Sequence, residues 1–341
     1  MLVFCSWARC TIFCKSTDFS KPYHAVIHTY PQNVTVYPQN IHKTTDRWSS
    51  QRLSNNYLRV LYVSVVKTLL LYDMNQFFIG LLLGILIAFL ALKAGSLSPS
   101  GAWAAAFTGG LIFGLGGLAW ASLLLVFFIS SSALSCAFQN RKATIQEKFS
   151  KGSRRDSGQV LANGGLGIVL VILHALLPHQ AWHWVAYAGA MAAINADTWA
   201  TEVGVLSPIE PRLITWWKNG GKPVDKGTSG GITPLGTLAA LAGATLIAVF
   251  AAALNIKSGN FFHVFIAVAL GGLVGCLFDS FLGATVQTIY YCPTCAKETE
   301  RTPQHVCGNE TVYLRGWRWL NNDGVNFFCA LAGAGVAVAL V

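Results

Sequence analysis

Between Ala94 and Asn140 the chain carries no Asp, Glu, Lys or Arg, and a second charge-free stretch runs from Gly227 to Ile256. A water-soluble domain covers itself with charge, about a quarter of its residues, and leaves no room for such runs. Here charged residues are 11% and hydrophobic ones 53% of the chain. Lipid is the solvent that fits, because a helix crossing the hydrocarbon core needs about 20 mostly apolar residues. The net charge of +10 does not mark a nucleic-acid face, since Lys and Arg are parcelled into short segments between apolar runs. Nine cysteines are scattered, with one tight cluster beyond the first residues, which argues against a disulfide framework.

Hydropathy predicts an all-α, polytopic transmembrane bundle of seven to eight spans, at 76–92, 102–118, 119–138, 158–178, 182–206, 230–255, 261–289 and 324–341. Only Gly116-Gly117 separates the second from the third, so this pair reads either as two spans or as a broken, re-entrant pair. Residues 1–73 differ from the rest. They are polar, lack long apolar runs and repeat Tyr-Pro-Gln-Asn at Tyr30 and Tyr37, while Met74-Asn75-Gln76 reads as a fresh start before an apolar run. The expectation is a non-native or unstructured extension over 1–73 and an integral membrane domain over 74–341, with a targeting segment as the alternative for the former.

Cytoplasmic connections near membrane ends are rich in Lys and Arg. With the start of the first helix outside, that bias falls on one side: Lys93; Arg141, Lys142, Lys148, Lys151, Arg154 and Arg155; Arg212, Lys218, Lys222 and Lys226; Lys297, Arg301, Arg315 and Arg318. The opposite connections are short and hold Lys257, and His174, His179 and His183 are expected at that interface.

Ionisable groups at membrane depth cost about 2.5–3.5 kcal/mol each on insertion scales, so each needs a partner or a purpose. Four places carry them. After the Arg154-Arg155 pair, Asp156, Gln159 and Asn163 share a helix face. Within an apolar helix, Asn195-Ala-Asp197-Thr-Trp-Ala-Thr-Glu202 offers two carboxylates suited to a cation. Lys222-Pro-Val-Asp225-Lys226-Gly227-Thr-Ser229-Gly230-Gly231 leads into a helix whose free N–H groups and positive end suit an anion. Finally, Asp279, Gly283 and Gln287 repeat every fourth residue, as do Asn322 and Asn326 beside Asp323. Each could be structural: an interfacial helix start, helix-to-helix glue or a plain turn. All four fall at the cytoplasmic ends of helices, however, and together they make the inventory for Mg²⁺ and phosphate. Separately, Cys292-Pro-Thr-Cys295 followed by His305-Val-Cys307 suits a tetrahedral Zn²⁺ site folding a loop over 290–319, with free thiols as the alternative.

At these motifs the chain resembles the integral membrane family called domain of unknown function 92, whose members include transmembrane protein 19 and the plant phytyl-phosphate kinase. The resemblance covers Gln76 to Val341 and rests on Arg155-Asp156 with Gln159-Val-Leu-Ala-Asn163-Gly, Asn195 to Glu202, Gly227 to Gly231, Asp279 to Gln287, and Asn322-Asp323-Gly-Val-Asn326. It implies a kinase moving a phosphoryl group from a nucleoside triphosphate, CTP foremost, to an isoprenyl monophosphate such as phytyl phosphate. Mapped onto that activity, Asp197, Glu202, Asp279 and Asp323 would hold Mg²⁺. Lys226, Gly227, Ser229 and Gly230 would cradle phosphates and Arg155 would neutralise developing charge. Asn163, Asn322 and Asn326 would orient these groups, with Asp156 beside them. The expected partners are the lipid bilayer, the prenyl phosphate and the nucleotide, and no nucleic acid. Rival readings are a transporter, a lipid-phosphate cytidylyltransferase that releases pyrophosphate, and a structural scaffold.

Overall fold

Helix starts in this chain are set by side chains that satisfy the first free N–H groups. A computed structural model describes residues 74–142, 154–178, 180–218, 220–255 and 260–341, together with two N-terminal strands. The helices are α1 (Met74–Lys93), α2 (Pro99–Lys142), α3 (Ser157–Leu176), α4 (Trp182–Gly204), α5 (Pro234–Leu254), α6 (Phe261–Thr285) and α7 (Asn322–Ala339). Asp156 caps α3 and forms a reciprocal box with Gln159, Thr233 caps α5 just before Pro234, and Asn321 caps α7. Such caps contribute about 1 kcal/mol each.

Along α2 the backbone leaves the helical region at Gly117, with φ 73° and ψ −166°, which glycine adopts without the penalty of a Cβ. The chain doubles back there. Ser98 N–H donates to the Arg155 carbonyl at 3.0 Å, while the Arg155 guanidinium donates to Ser131 Oγ at 2.9 Å. In a straight helix, Ser98 and Ser131 would stand roughly 50 Å apart. The halves 99–116 and 118–142 therefore form a helical hairpin, and the described residues from 74 onward form eight rods, within the seven to eight that hydropathy predicts. Among the described residues, six helices, α2 counted once, are long and apolar enough to cross a membrane.

The remaining rod, α4, is not among those six. It is the axis of the bundle, buried on every side from Val185 to Ala196. Small residues let its neighbours approach. A Cβ on Gly189 would lie 2.6 Å from the Gly333 carbonyl, one on Gly272 2.8 Å from Ala192 Cβ, and one on Gly333 2.6 Å from Ala193 Cβ. At the periphery, Gly80 and Gly84 of α1 meet Gly114 and Gly110 of α2 equally closely. Close backbone approach of this kind is how helices associate in lipid, where hydrophobicity supplies no preference for protein over tails.

Two predicted spans are shorter than hydropathy suggests. Residues 230–233 form the capped entry to α5, and α6 ends at Thr285, before the strand that starts at Ile289. The expected Cys/His loop is a small sheet in which β5 (Ile289–Cys292) lies between β6 (Lys297–Thr299) and β7 (Val312–Arg315), all antiparallel. Arg212–Leu213 (β3) pairs with Gly231–Ile232 (β4), tying the α4–α5 connection to its own end. In the N-terminal part, Leu2–Ser6 (β1) and Arg9–Phe13 (β2) form an antiparallel ribbon. Residues 14–73, Lys148, Lys151, His179 and Lys257 lie outside the described residues, and with them most of the expected extension. His183, expected at an interface, is fully buried against Trp182 with ring centroids 4.1 Å apart.

Candidate functional site

Where α3 begins and α4 and α6 end, a cavity of about 290 Å³ opens between the helices. From α4 it is lined by Asp197, Thr198, Thr201 and Glu202, from α6 by Asp279, and from α3 by Asn163. The α4–α5 connection contributes Lys226, Gly227, Ser229 and Gly230, and α7 contributes Asn322 and Asn326. Segments remote in sequence thus converge on one end of the bundle. Among the described residues from 74 onward, Lys and Arg also fall in the helix ends and connections on this side.

The carboxylates divide into two groups. Glu202 accepts a hydrogen bond from Ser135 Oγ at 2.7 Å and stands near Arg155. Burial pulls the Arg155 guanidinium down to about 10, while Glu202 acts in the opposite direction, so the cation persists at neutral pH. It also sits over the Phe127 and Phe128 rings, 5.5 and 5.7 Å from their centroids, where the ring faces offset part of its lost hydration. Across the cavity, Asp197 and Asp279 are close enough to repel each other, and Glu300 repels both. Asp279 Oδ2 is buried without a hydrogen-bond partner among the described residues. An uncompensated carboxylate oxygen beside two further carboxylates is costly, and a bound cation is the direct remedy.

The Gly-rich segment runs along the cavity wall. Gly227 and Gly230 have φ of 80° and 81°, and a Cβ on Gly230 would collide with the backbone of Ala284. These glycines are required by conformation and by close approach to α6. Ser229 Oγ donates to Gln287 Oε1 at 2.6 Å, and Gln287 Nε2 donates to Glu300 Oε1 at 2.8 Å. Lys226, expected on phosphate, lines the cavity but gives hydrogen bonds to the carbonyls of Val205 (3.2 Å) and Ser207 (2.7 Å) at the end of α4. Those carbonyls carry the negative end of the helix, so the ammonium serves as its cap.

Two predicted residues do not line the cavity. Asp156 caps α3, its carboxylate accepting the Gln159 N–H at 3.0 Å, and Asp323 sits in the first turn of α7, where its charge complements the helix dipole. Glu300, by contrast, lines the cavity and has no signal in the sequence, since it resembles any acidic residue of a polar hairpin. Asn195 is fully buried and structural: Ser130 Oγ donates to its Oδ1 at 3.0 Å, and its Nδ2 donates to the Gly243 carbonyl at 2.8 Å.

A second, apolar cavity of about 170 Å³ lies between α1, both arms of the α2 hairpin and α3, bounded by Gly84, Gly109, Phe113, Phe127 and Phe128. Arg155 and Asn163 line both cavities. Beyond the site, one ligand atom each from Cys292, Cys295, His305 and Cys307 fall within 4.8 Å of one another.

Long apolar helices, a polar cavity at one end of the bundle and an adjoining apolar cavity define a polytopic membrane protein with buried carboxylates around a polar cavity. Residues 82–334 match the family described as Integral membrane protein DUF92, and the chain belongs to that family. Protein PGR of Arabidopsis thaliana is 35% identical over 267 residues, 72% of this chain and 89% of that protein. An uncharacterized membrane protein of Methanocaldococcus jannaschii is 32% identical over 61% of this chain and 82% of its own length. A second uncharacterized membrane protein, from Synechocystis, is 27% identical over 66% and 78%. No solved structure matches the chain.

Proposed function

We propose that the chain is a membrane-embedded kinase that moves the terminal phosphoryl group of a nucleoside triphosphate, CTP foremost, onto an isoprenyl monophosphate such as phytyl phosphate. The observation that carries this reading is the junction of the two cavities at Arg155 and Asn163. A prenyl phosphate is an apolar tail ending in a dianion, and a dry cavity abutting a polar one across a buried arginine has the matching division. The bias of Lys and Arg toward this end supports a site facing the cytoplasm, where nucleotide is supplied from water.

In this scheme an oxygen of the lipid phosphate attacks the terminal phosphorus of the nucleotide. The bond from that phosphorus to the bridging oxygen breaks, the nucleoside diphosphate leaves, and the lipid diphosphate remains. No proton has to move, so no general base is needed. Asp197 and Asp279 would hold Mg²⁺, whose contribution is to neutralise polyphosphate charge. Arg155 neutralises the acceptor phosphate at the cavity junction, and its guanidinium is oriented by Ser131. Gly227 and Gly230 allow the backbone to approach the phosphates, while Asn322 and Asn326 offer amide donors from α7.

The test is incubation of membranes holding the full chain with labelled CTP or ATP, Mg²⁺ and a panel of prenyl monophosphates. The expected products are prenyl diphosphate and nucleoside diphosphate. Pyrophosphate with a nucleotidyl lipid would identify a cytidylyltransferase, and undiminished prenyl diphosphate from both Asp197→Asn and Asp279→Asn would remove the proposed chemistry from this cavity.

A further inference from the structure

The β5–β6 hairpin brings a carboxylate into a cavity otherwise built from helices and their connections, and does so from a segment with little core of its own. Four side chains, two at its turn and two from the segment that follows it, have the donor set and spacing of a metal centre. Cys292 Sγ lies 3.6 Å from Cys307 Sγ, and His305 Nδ1 lies 3.3 Å from the same sulfur. A tetrahedral Zn²⁺ with Zn–S near 2.3 Å and Zn–N near 2.0 Å places its ligand atoms about 3.5–3.8 Å apart. The sulfurs are free thiols, far beyond the roughly 2.05 Å of a disulfide. Cys292 and His305 are buried, and Asn309 Nδ2 donates to Cys307 Sγ at 3.4 Å, the kind of outer hydrogen bond that orients a thiolate ligand. Between Cys295 and β6, Ala296 is held at φ 55°, a left-handed conformation that a non-glycine residue adopts only under constraint.

From this cluster the path to the cavity is one short strand. β6 ends at Thr299, and the next residue is Glu300, whose Oε1 accepts from Gln287 Nε2. Gln287 in turn accepts from Ser229 of the Gly-rich segment. Three carboxylates from three different elements, Asp197 on α4, Asp279 on α6 and Glu300 after β6, thus line one cavity, near enough for their charges to act on one another. Three converging oxygen donors suit a hard divalent cation.

We infer that a structural Zn²⁺ bound by Cys292, Cys295, His305 and Cys307 locks the β5–β6 hairpin so that Glu300 joins Asp197 and Asp279 as the third acidic ligand of a divalent-cation site in the cavity. The zinc centre stands independently of the kinase reading. The role of Glu300 rests only on the cation site within that reading, whatever reaction the site performs.

The experiment uses the full chain purified in detergent. Zinc is measured by elemental analysis and Mn²⁺ binding by electron paramagnetic resonance, with Mn²⁺ standing in for Mg²⁺. One zinc per chain is expected, lost in Cys295→Ser and in Cys307→Ser. Glu300→Gln is expected to keep its zinc and to bind Mn²⁺ at least tenfold more weakly. Stripping zinc from the folded wild type with a thiol-reactive reagent, then reducing and restoring it, should weaken and then recover Mn²⁺ binding. The strip-and-restore arm covers the case in which a cysteine variant fails to fold. Absence of zinc before and after incubation with it would overturn the proposal, as would wild-type Mn²⁺ affinity in Glu300→Gln or in stripped protein. These readouts do not pass through phosphoryl transfer, so a failed kinase assay with intact zinc and Mn²⁺ binding would count against the kinase alone.

Discussion

The two ends of the bundle bury polar groups by opposite means. Away from the cavity, the Tyr187 hydroxyl donates to the Trp120 carbonyl at 2.9 Å, and Trp120 stacks on Tyr187 and His174 with ring centroids 4.5 and 5.1 Å apart. Every group there can be neutral, and aromatic packing surrounds it. At the cavity end, Asp197, Asp279 and Glu300 crowd together with Arg155 and Glu202 nearby. Carboxylates of like sign lower one another's stability when ionised, and packing does nothing to relieve them. Among the described residues, the aromatic end holds its orphaned polar atoms, His174 Nδ1, both His183 ring nitrogens and Trp184 Nε1, on rings that can stay uncharged, whereas the cost at the carboxylate end is repulsion between like charges, which the proposed cation would relieve. Position in the fold alone does not separate structural from functional polarity; the charge state that each group can adopt does.

The strongest way to break this contrast is Asp279→Asn or Asp197→Asn. We expect lipid diphosphate formation to fall about 10²–10³-fold, as for loss of a central electrostatic group. The melting temperature in detergent without divalent cations should hold or rise because repulsion is relieved. A parallel collapse of stability and rate would make the cluster structural. Next in size is Gly230→Ala, where the positive φ and the contact with Ala284 predict a strain of roughly 1–3 kcal/mol. A rate loss near a hundredfold with intact helical circular dichroism would locate that strain in the loop.

Gly109→Leu sharpens the comparison between the two cavities. A Cβ there would stand 3.8 Å from Gly84 Cα, ordinary contact, so the larger side chain extends into the apolar cavity. KM for long-tailed prenyl phosphates should rise about tenfold, or roughly 1.4 kcal/mol of lost binding, while short-tailed analogues keep their KM. Equal effects on both would remove the tail from this cavity. The smallest change is expected from His183→Phe at the aromatic end. Turnover should stay within about twofold while the melting point shifts by a few degrees, the scale of a ~1 kcal/mol packing change. A turnover defect without a melting shift would give that end a functional part.

Hydropathy makes the eight rods legible, and the Gly116-Gly117 pair marks the reversal inside α2, because lipid selects for apolar length and glycine for the turn. Asn163, Asp197, Asp279, Asn322 and Asn326 are legible as cavity residues because charged and amide groups are too costly to be placed idly among apolar helices. The same reasoning does not distinguish Asp156 or Asp323, since helix arithmetic registers a shared face without saying whether a carboxylate there caps its own helix, as Asp156 does, or sits in its first turn, as Asp323 does. Lys226 is similar, because the C-terminal carbonyls it meets come from a turn some twenty residues earlier. Glu300 is hidden for a different reason. Nothing about an acidic residue in a polar hairpin is unusual until the hairpin is folded over the helices, and only then does it meet Gln287.

The axial position of α4 bears on how the protein is made. A segment carrying Asp197 and Glu202 partitions poorly into lipid by itself, at about 2.5–3.5 kcal/mol for a charge at the helix centre, and its favourable surroundings are supplied in part by α5, α6 and α7, which leave the ribosome after it. The nascent chain must therefore keep α4 beside the insertion machinery until its later neighbours arrive, so in a chain stopped after Gly204 a cysteine introduced into α4 should stay open to a water-soluble thiol reagent while α1, α2 and α3 remain embedded, and in the full-length chain that cysteine should be protected.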